Sequence, residues 1–254
     1  MNAPVLLAVL LLVAGSLPAA EFDHSHAALD RVLKARVQDE RVNYAALKAA
    51  PEDLKAWLTS AGSVTETEFT RWSRPQRLAF LINLYNAAAL QLVIDHYPVK
   101  SIKDIGGFFK GPWKQEVVPL FGQRVTLDYL EHGVLRPEYQ EPRVHFAIVC
   151  AAKGCPPLRA EAFVADRLEQ QLAEQGRIFL GSRAKNYFDA STGTLHLSPI
   201  FKWFSADFES GSGSVVKYVT PFFPAAVQEQ IRRAPSVRVR HTAYDWSLNE
   251  PPRR

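Results

Sequence analysis

The sequence lacks the signatures of the common enzyme classes. It has no H-E-x-x-H, no G-x-S-x-G, no phosphate-binding loop and no glycine-rich dinucleotide turn. No motif recurs at a fixed period, which excludes a repeat architecture. The 254 residues include 2 cysteines, too few for a disulfide-rich scaffold or a four-cysteine zinc site. Metalloproteases, serine hydrolases, ATPases and dinucleotide-dependent dehydrogenases therefore lose their usual support, and no cofactor is predicted.

An excess of charge is also missing from the body of the chain. The formal net charge of +4 is carried by the residues after Ile231, which include six arginines and only two acidic residues, Asp245 and Glu250. This tail lacks the groove of basic and interleaved aromatic residues that nucleic-acid platforms use. We therefore expect a solvated basic tail and no nucleic-acid partner.

A targeting segment is present at the N-terminus. Residues 2–20 are small and apolar, Glu21 is the first charged residue, and small side chains at Ala19 and Ala20 suit cleavage by signal peptidase. The apolar stretch is shorter than the roughly 20 residues that a membrane span needs. We predict a signal peptide over 1–20 and a periplasmic or secreted protein with no transmembrane span after its removal. Because the leader has no Lys or Arg, an uncleaved N-terminal anchor is the alternative.

Several segments of the mature chain have helical patterns. Residues 76–96 are apolar on almost every side, and Pro75 suits the first turn of a helix, so we predict a buried central helix there. Further helices are predicted at 25–37, 51–58, 127–135 and 161–179. His24 and His26 lie at the start of the first of these, near the N-terminus, and form either a metal clip or, as we expect, part of a mobile terminus.

The strand patterns are shorter. The β-branched run 144–150 predicts a strand, and hairpins are predicted at 116–125 and 187–197. Because helices and strands do not alternate strictly, we expect one α+β globular domain over 21–209, with a small mixed or antiparallel sheet. Residues 210–254 are expected to form a linker and a basic C-terminal extension.

Polar residues interrupt the apolar central helix. Asn83 and Asn86 lie three apart, so they share one face, and both are predicted to be buried. A buried amide without partners costs about 1–3 kcal/mol, so each must bond to something fixed. One interpretation is a structural clamp on a neighbouring loop. The other is that one amide orients a catalytic imidazole or, with Tyr85 beside it, faces a ligand.

A second polar cluster follows at Glu131, His132 and Arg136. An ordinary ion-pair network explains this cluster as well as chemistry does. Glu131 is a candidate orienting group for catalysis, and His132 and Arg136 are candidate ligand contacts.

The segment 143–158 is the strongest candidate site. It contains Arg143, His145, Cys150, Lys153 and Cys155. In an oxidising compartment the two cysteines are expected to form a disulfide. Alternatively, Cys155 is a nucleophile activated by His145 or Lys153, or both cysteines and a histidine hold a metal. The C-x4-C spacing by itself decides among none of these.

Four segments share their order and spacing with a known family. They are 78–87, 127–136, 142–158 and 200–208. On these segments the chain, along roughly 42–208, resembles the domain of unknown function 547 family, whose members include exported bacterial proteins. The family has no settled biochemical activity, so the resemblance implies no substrate.

Two classes of function remain open. The first is a thiol-dependent hydrolase or acyl transferase, with Cys155 as nucleophile, His145 as base, and Asn86 or Glu131 as orienting group. The second is a non-catalytic envelope-associated or binding module stabilised by a Cys150–Cys155 disulfide. Either would take a small-molecule or peptide ligand, with Asn83, Tyr85, His132, Arg136, Arg143 and Lys153 as candidate contacts. The sequence does not determine the oligomeric state.

Overall fold

Short helices begin the described part of the chain, as the periodicity predicts. The computed structural model describes residues 21–107 and 110–252, so the predicted leader lies outside the described residues. The first elements are α1 (Ala27–Arg36), β1 (Val37–Gln38), β2 (Arg41–Val42), α2 (Tyr44–Ala49), α3 (Glu52–Ser63) and α4 (Glu66–Arg71). β1 and β2 pair antiparallel, and α2 and α3 contact the central helix that follows.

The residues before α1 are packed into the core. The Phe22 side chain is 6% exposed and contacts the rings of Trp57, Trp72 and Phe80. His26 is 1% exposed, and burial lowers its pKa from 6.5 to about 4. The mobile terminus expected for His24 and His26 is therefore wrong, because burial of the Phe22 ring, worth about 1.5–3 kcal/mol, holds this segment in place.

The central helix is α5 (Arg74–His96). Ser73 caps it: its Oγ accepts the Gln76 N–H, and Gln76 Oε1 accepts the Ser73 N–H at 2.9 Å. Between Leu78 and Ile94 every residue except Gln91 is buried. The helix is long and apolar enough to cross a membrane, but 89% of its apolar window is buried inside the protein. The predicted buried central helix is confirmed.

A hairpin and a widened helix follow. The strands β3 (Glu116–Leu120) and β4 (Gln123–Thr126) pair antiparallel, and Phe121 and Gly122 make the turn with φ of +50° and +75°. Thr126 Oγ1 accepts the Tyr129 N–H at 2.9 Å and so begins the next helix. The predicted helix 127–135 consists of α6 (Leu127–Tyr129) and a π-helical turn (Leu130–Leu135), and α7 (Arg136–Tyr139) continues it.

The strand predicted at 144–150 is wrong. The structure has a short helix, α8 (Val144–Ala147), which starts where Pro142 O accepts the His145 N–H. The residues after α8 need no neighbouring strand, because Asn86 Nδ2 donates to Ala147 O and the Val149 N–H donates to Asn86 Oδ1. A side chain thus replaces the partner strand that the β-branched pattern suggested.

The helix predicted at 161–179 begins later than expected. α9 is Leu168–Gly181, preceded by a short 3-10 turn at Ala165–Arg167. The preceding residues are held extended by side chains of other segments: the Phe163 N–H donates to Asn83 Oδ1, and the Val164 N–H donates to Gln171 Oε1. Gln171 Nε2 also donates to Ala162 O and Asn83 Nδ2 to Phe163 O, both at 2.8 Å, so side chains occupy the carbonyl acceptors that an earlier helical turn would use.

The C-terminal third adds a small mixed sheet and short helices. Its elements are β5 (Tyr187–Asp189), β6 (Thr194–Leu197), α10 (Ile200–Trp203), α11 (Ser205–Glu209), α12 (Val215–Val219), α13 (Ala225–Arg233) and β7 (Arg238–His241). β6 pairs antiparallel with β5, as the predicted hairpin requires, and parallel with β7. Val219 and Ile231 are buried with Phe146 and Phe208 in one cluster, so residues after 209 belong to the folded body. The α+β class with a small mixed sheet is confirmed.

Candidate functional site

A cavity of about 420 Å³ lies beside α5, the π-helical turn, α10 and the segment after β7. Six of its lining residues are aromatic: Tyr85, Trp113, Trp203, Phe204, Tyr244 and Trp246. Five are charged or titratable: Lys114, Asp128, Glu131, His132 and His145. Cys150 and Cys155 also line it. An apolar cavity with a few polar groups is the usual form of a small-molecule site.

Asp207 fixes the imidazole of His145. His145 Nε2 lies 2.7 Å from Asp207 Oδ2, and the histidine side chain is 1% exposed. Because a carboxylate only accepts, Nε2 carries the proton and Nδ1 is the ring atom that is left to act as a base. The ring also stacks on Phe204, with centroids 4.0 Å apart. The imidazole is therefore oriented on two sides.

Arg136 completes this group. Its guanidinium donates to both carboxylate oxygens of Asp207, at 2.7 and 3.0 Å, and lies over the Phe204 ring. The hydrogen bond from His145, with that from Arg136, holds the pKa of the Asp207 carboxyl well below its usual range. Arg136 is therefore a structural partner of Asp207 rather than a lining residue, and the ion-pair interpretation of Arg136 fits better than a ligand contact.

A carboxylate and a phenol meet at the buried side of the cavity. Glu131, on the π-helical turn, is 8% exposed, and its Oε2 accepts a hydrogen bond from the Tyr85 hydroxyl at 3.2 Å. Burial and the nearby Glu131 charge raise the pKa of Tyr85 well above its usual value. Tyr85 therefore stays protonated and remains a donor to Glu131. Single π-helical turns occur frequently at functional sites.

Cys150 and Cys155 form a disulfide. The disulfide alternative is confirmed, and no described cysteine is free. The Cys150 N–H and the Tyr244 hydroxyl both donate to Cys155 Sγ at 3.1 Å. Over the described ranges, no group of three or more His, Cys, Asp or Glu is placed to hold a metal ion.

Aromatic rings from distant segments form one wall. Trp246 contacts Tyr244 at 4.5 Å, Trp203 at 5.9 Å and Trp113 at 5.9 Å between ring centroids. The Lys103 ammonium lies 3.7 Å from the centroid of the Trp246 ring. We name Trp113, Trp203, Tyr244 and Trp246 the aromatic wall.

The structure brings together some of the predicted site residues and separates others. Those that line the cavity are Tyr85, Glu131, His132, His145, Cys150 and Cys155. Neither Lys153 nor Arg143 lines it, and Arg143 pairs instead with Glu141 and Glu169. Asn83 clamps the backbone of Phe163, and Asn86 bonds to the backbone after α8. The role of orienting His145 that was expected for Asn86 or Glu131 is taken by Asp207.

Sequence reasoning missed Asp207 and the aromatic wall as site residues. Asp207 lies within the segment 200–208 that carries the family resemblance, so a polar residue there was a usable signal. For the wall, three of the five tryptophans line one cavity, but three segments far apart in the chain supply them. Only the tertiary structure shows that arrangement.

Comparison with known proteins gives one match. A family model described as protein of unknown function, DUF547, matches residues 69–180. That range includes Tyr85, Glu131, His145 and both cysteines, while Asp207 and most of the aromatic wall lie beyond it. Neither the curated proteins nor the solved structures compared give a match to the chain.

Proposed function

We propose from the geometry that this chain is an exported binding module whose cavity takes a small organic cation. The DUF547 family model that matches residues 69–180 supports membership of that family, and its description names no activity. The observation that carries this proposal is the aromatic wall beside the buried Glu131 carboxylate. The family match and the disulfide are compatible with such a module and specify no ligand. Export is part of the proposal and rests on the leader at 1–20.

The aromatic wall supplies the first attraction. The faces of Trp and Tyr rings are electron-rich, and a cation over them gains about 0.5–2 kcal/mol, more where water is excluded. Lys103 already occupies one face of Trp246, at 3.7 Å from the ring centroid. The same cluster therefore attracts a positive charge within this protein, and its surface toward the cavity has the same chemistry.

The charges that line the cavity add a second attraction. Asp128 and Glu131 provide two carboxylates and Lys114 one ammonium, so the lining carries a net negative charge when both histidines are neutral. Tyr85 donates to only one oxygen of Glu131. A buried carboxylate is costly unless it is paired, and a cationic ligand in the cavity would add its positive charge to that of the nearby Arg136.

Choline is the probe that tests this proposal. Calorimetry of the mature protein should show binding of choline at least about tenfold tighter than binding of its uncharged isostere, in which carbon replaces nitrogen. Glu131→Gln should weaken choline and leave the isostere unchanged. Glu138→Gln, which removes an exposed carboxylate outside the lining, is the control. Equal affinity for choline and isostere, or no binding of choline, would contradict the proposal.

A second candidate is a thiol-dependent hydrolase or acyl transferase. The Asp207–His145 hydrogen bond of 2.7 Å favours it, since an oriented imidazole beside a cysteine is the arrangement that activates a thiol. A sulfur in a disulfide is not a nucleophile, so this activity would belong to the reduced protein. Iodoacetamide labelling across pH 5 to 9 tests it. After reduction, the pH profile of Cys155 labelling should give a thiol pKa below the ordinary value of about 8.5, and His145→Ala should abolish labelling at the lower pH.

A further inference from the structure

The disulfide lies at the edge of the core and forms part of the cavity wall. Cys150 and Cys155 both line the cavity, and they differ in access: Cys155 is 3% exposed, while Cys150 is only half-buried. A bridge over so short a loop restricts the unfolded chain little, so stability alone accounts poorly for it. Its position suggests chemistry as well.

We propose that the Cys150–Cys155 disulfide is redox-active and that it exchanges with a small-molecule thiol that enters the cavity beside His145. This inference goes beyond the proposed binding function, because it assigns a reaction to the cavity and does not need a cationic ligand.

The two sulfurs have different roles. Exchange proceeds by in-line attack of a thiolate on one sulfur, and the other leaves with the electron pair. Cys150 is the more exposed of the two cysteines, so its Sγ is the one attacked. Cys155 Sγ accepts a hydrogen bond from the Cys150 N–H at 3.1 Å, and the Tyr244 hydroxyl lies between the two sulfurs, 3.1 Å from Cys155 Sγ and 3.2 Å from Cys150 Sγ, so that it can donate to Cys155 when this sulfur leaves. These donors stabilise negative charge on the leaving sulfur.

The reaction balances with two molecules of thiol. The first loses its proton to His145 and forms a mixed disulfide with Cys150, while the Cys150–Cys155 bond breaks and its electron pair passes to Cys155. That thiolate then takes up the proton. The second thiol also loses its proton to His145, and its thiolate attacks the external sulfur of the mixed disulfide. The bond to Cys150 breaks, its electron pair passes to Cys150 Sγ, which takes up the proton, and the oxidised small molecule is released. The small molecule supplies both electrons.

The loop stays in place without the disulfide. The Lys153 N–H donates to Ser247 O and the Gly154 N–H donates to Asp245 O, both at 2.8 Å. The Asn249 N–H donates to Ala151 O at 3.0 Å. These bonds hold the loop against the C-terminal segment independently of the sulfur–sulfur bond. The two thiols therefore remain close after reduction, as reversible exchange requires.

Reduction of the native protein by mercaptoethanol tests the proposal. This thiol is uncharged, so the result is independent of the cation proposal, and choline binding measured on the same sample reports on that proposal separately. We expect mercaptoethanol to reduce the disulfide while the circular dichroism of the folded protein is unchanged. Alkylation of the free thiols and mass spectrometry measure the reduction. Reduction that occurs only at the rate of global unfolding would overturn it.

Single-cysteine variants identify the attacked sulfur. With the oxidised form of mercaptoethanol, Cys155→Ser should form a mixed disulfide at Cys150 readily, whereas Cys150→Ser should leave the buried Cys155 largely unmodified. The reverse preference would contradict the assignment. Because a serine variant can fail to fold, a second measurement uses proteins that keep both cysteines. The rate at which mercaptoethanol reduces Tyr244→Phe should be about tenfold lower than the wild-type rate, since the substitution removes one donor to the leaving sulfur. Tyr218→Phe, at a half-buried tyrosine outside the cavity, is the control, and equal rates in Tyr244→Phe and wild type would refute the role of Tyr244.

Discussion

Replacement of Asn86 by leucine should destabilise the protein and displace the cavity wall. Asn86 is 4% exposed, and its amide makes two hydrogen bonds of 2.9 Å, to Ala147 O and from the Val149 N–H. The substitution leaves two buried backbone groups without partners, each at a cost of about 1–3 kcal/mol. The apolar leucine side chain recovers about 1–2 kcal/mol of this. We expect a net loss of about 3 kcal/mol in the free energy of unfolding.

Urea denaturation measures this loss, and Asn83→Leu is the matched control. Asn83 also makes two backbone bonds, at 2.8 and 3.0 Å, but to Phe163, which does not line the cavity. Both variants should unfold at lower urea. Only Asn86→Leu should also change the rate at which mercaptoethanol reduces the disulfide, because Cys150 follows Val149 directly. A midpoint equal to wild type in Asn86→Leu would refute the clamp.

Three further predictions concern other parts of the molecule. Burial lowers the pKa of His26 from 6.5 to about 4, so the unfolded chain takes up the proton at a higher pH than the folded protein does. The free energy of unfolding should therefore fall by about 3 kcal/mol as the pH drops from 6.5 to about 4. His26→Phe should remove this dependence, and a pH profile of the variant parallel to that of wild type would contradict the prediction. Asp207→Asn should lower the free energy of unfolding by about 2 kcal/mol, because it removes charge-assisted bonds to Arg136 and His145; an unchanged urea midpoint would count against their importance. The exported protein should begin near Ala20 or Glu21 by intact mass, and a soluble cytoplasmic form that retains residues 1–18 would exclude the signal peptide.

Local signals explain which parts of the fold were predictable. Ser73 and Pro75 mark the start of α5, and Thr126 marks the next helix, because capping depends on neighbouring residues. The strand predicted at 144–150 failed, since Asn86 satisfies the backbone after α8 from about sixty residues away in the chain. Periodicity carries no information about such a partner.

The site was predictable only in part for the same reason. Tyr85, Glu131, His145 and the cysteines stood out because polar or reactive residues interrupt apolar segments. Asp207 is 62 residues from His145, and no spacing rule connects them. The aromatic wall depends on Trp203 and Trp246 meeting through the C-terminal segment, which composition alone indicated to be a solvated tail.

A crystal structure of the mature protein grown with choline is the sharpest test of an organic-cation site in the cavity. We expect the trimethylammonium group inside the cavity, against the aromatic wall and within reach of the Glu131 carboxylate. Crystals of Glu131→Gln grown identically should contain no bound choline there. Choline bound only elsewhere on the surface, or a cavity that holds water alone at saturating choline, would contradict the account.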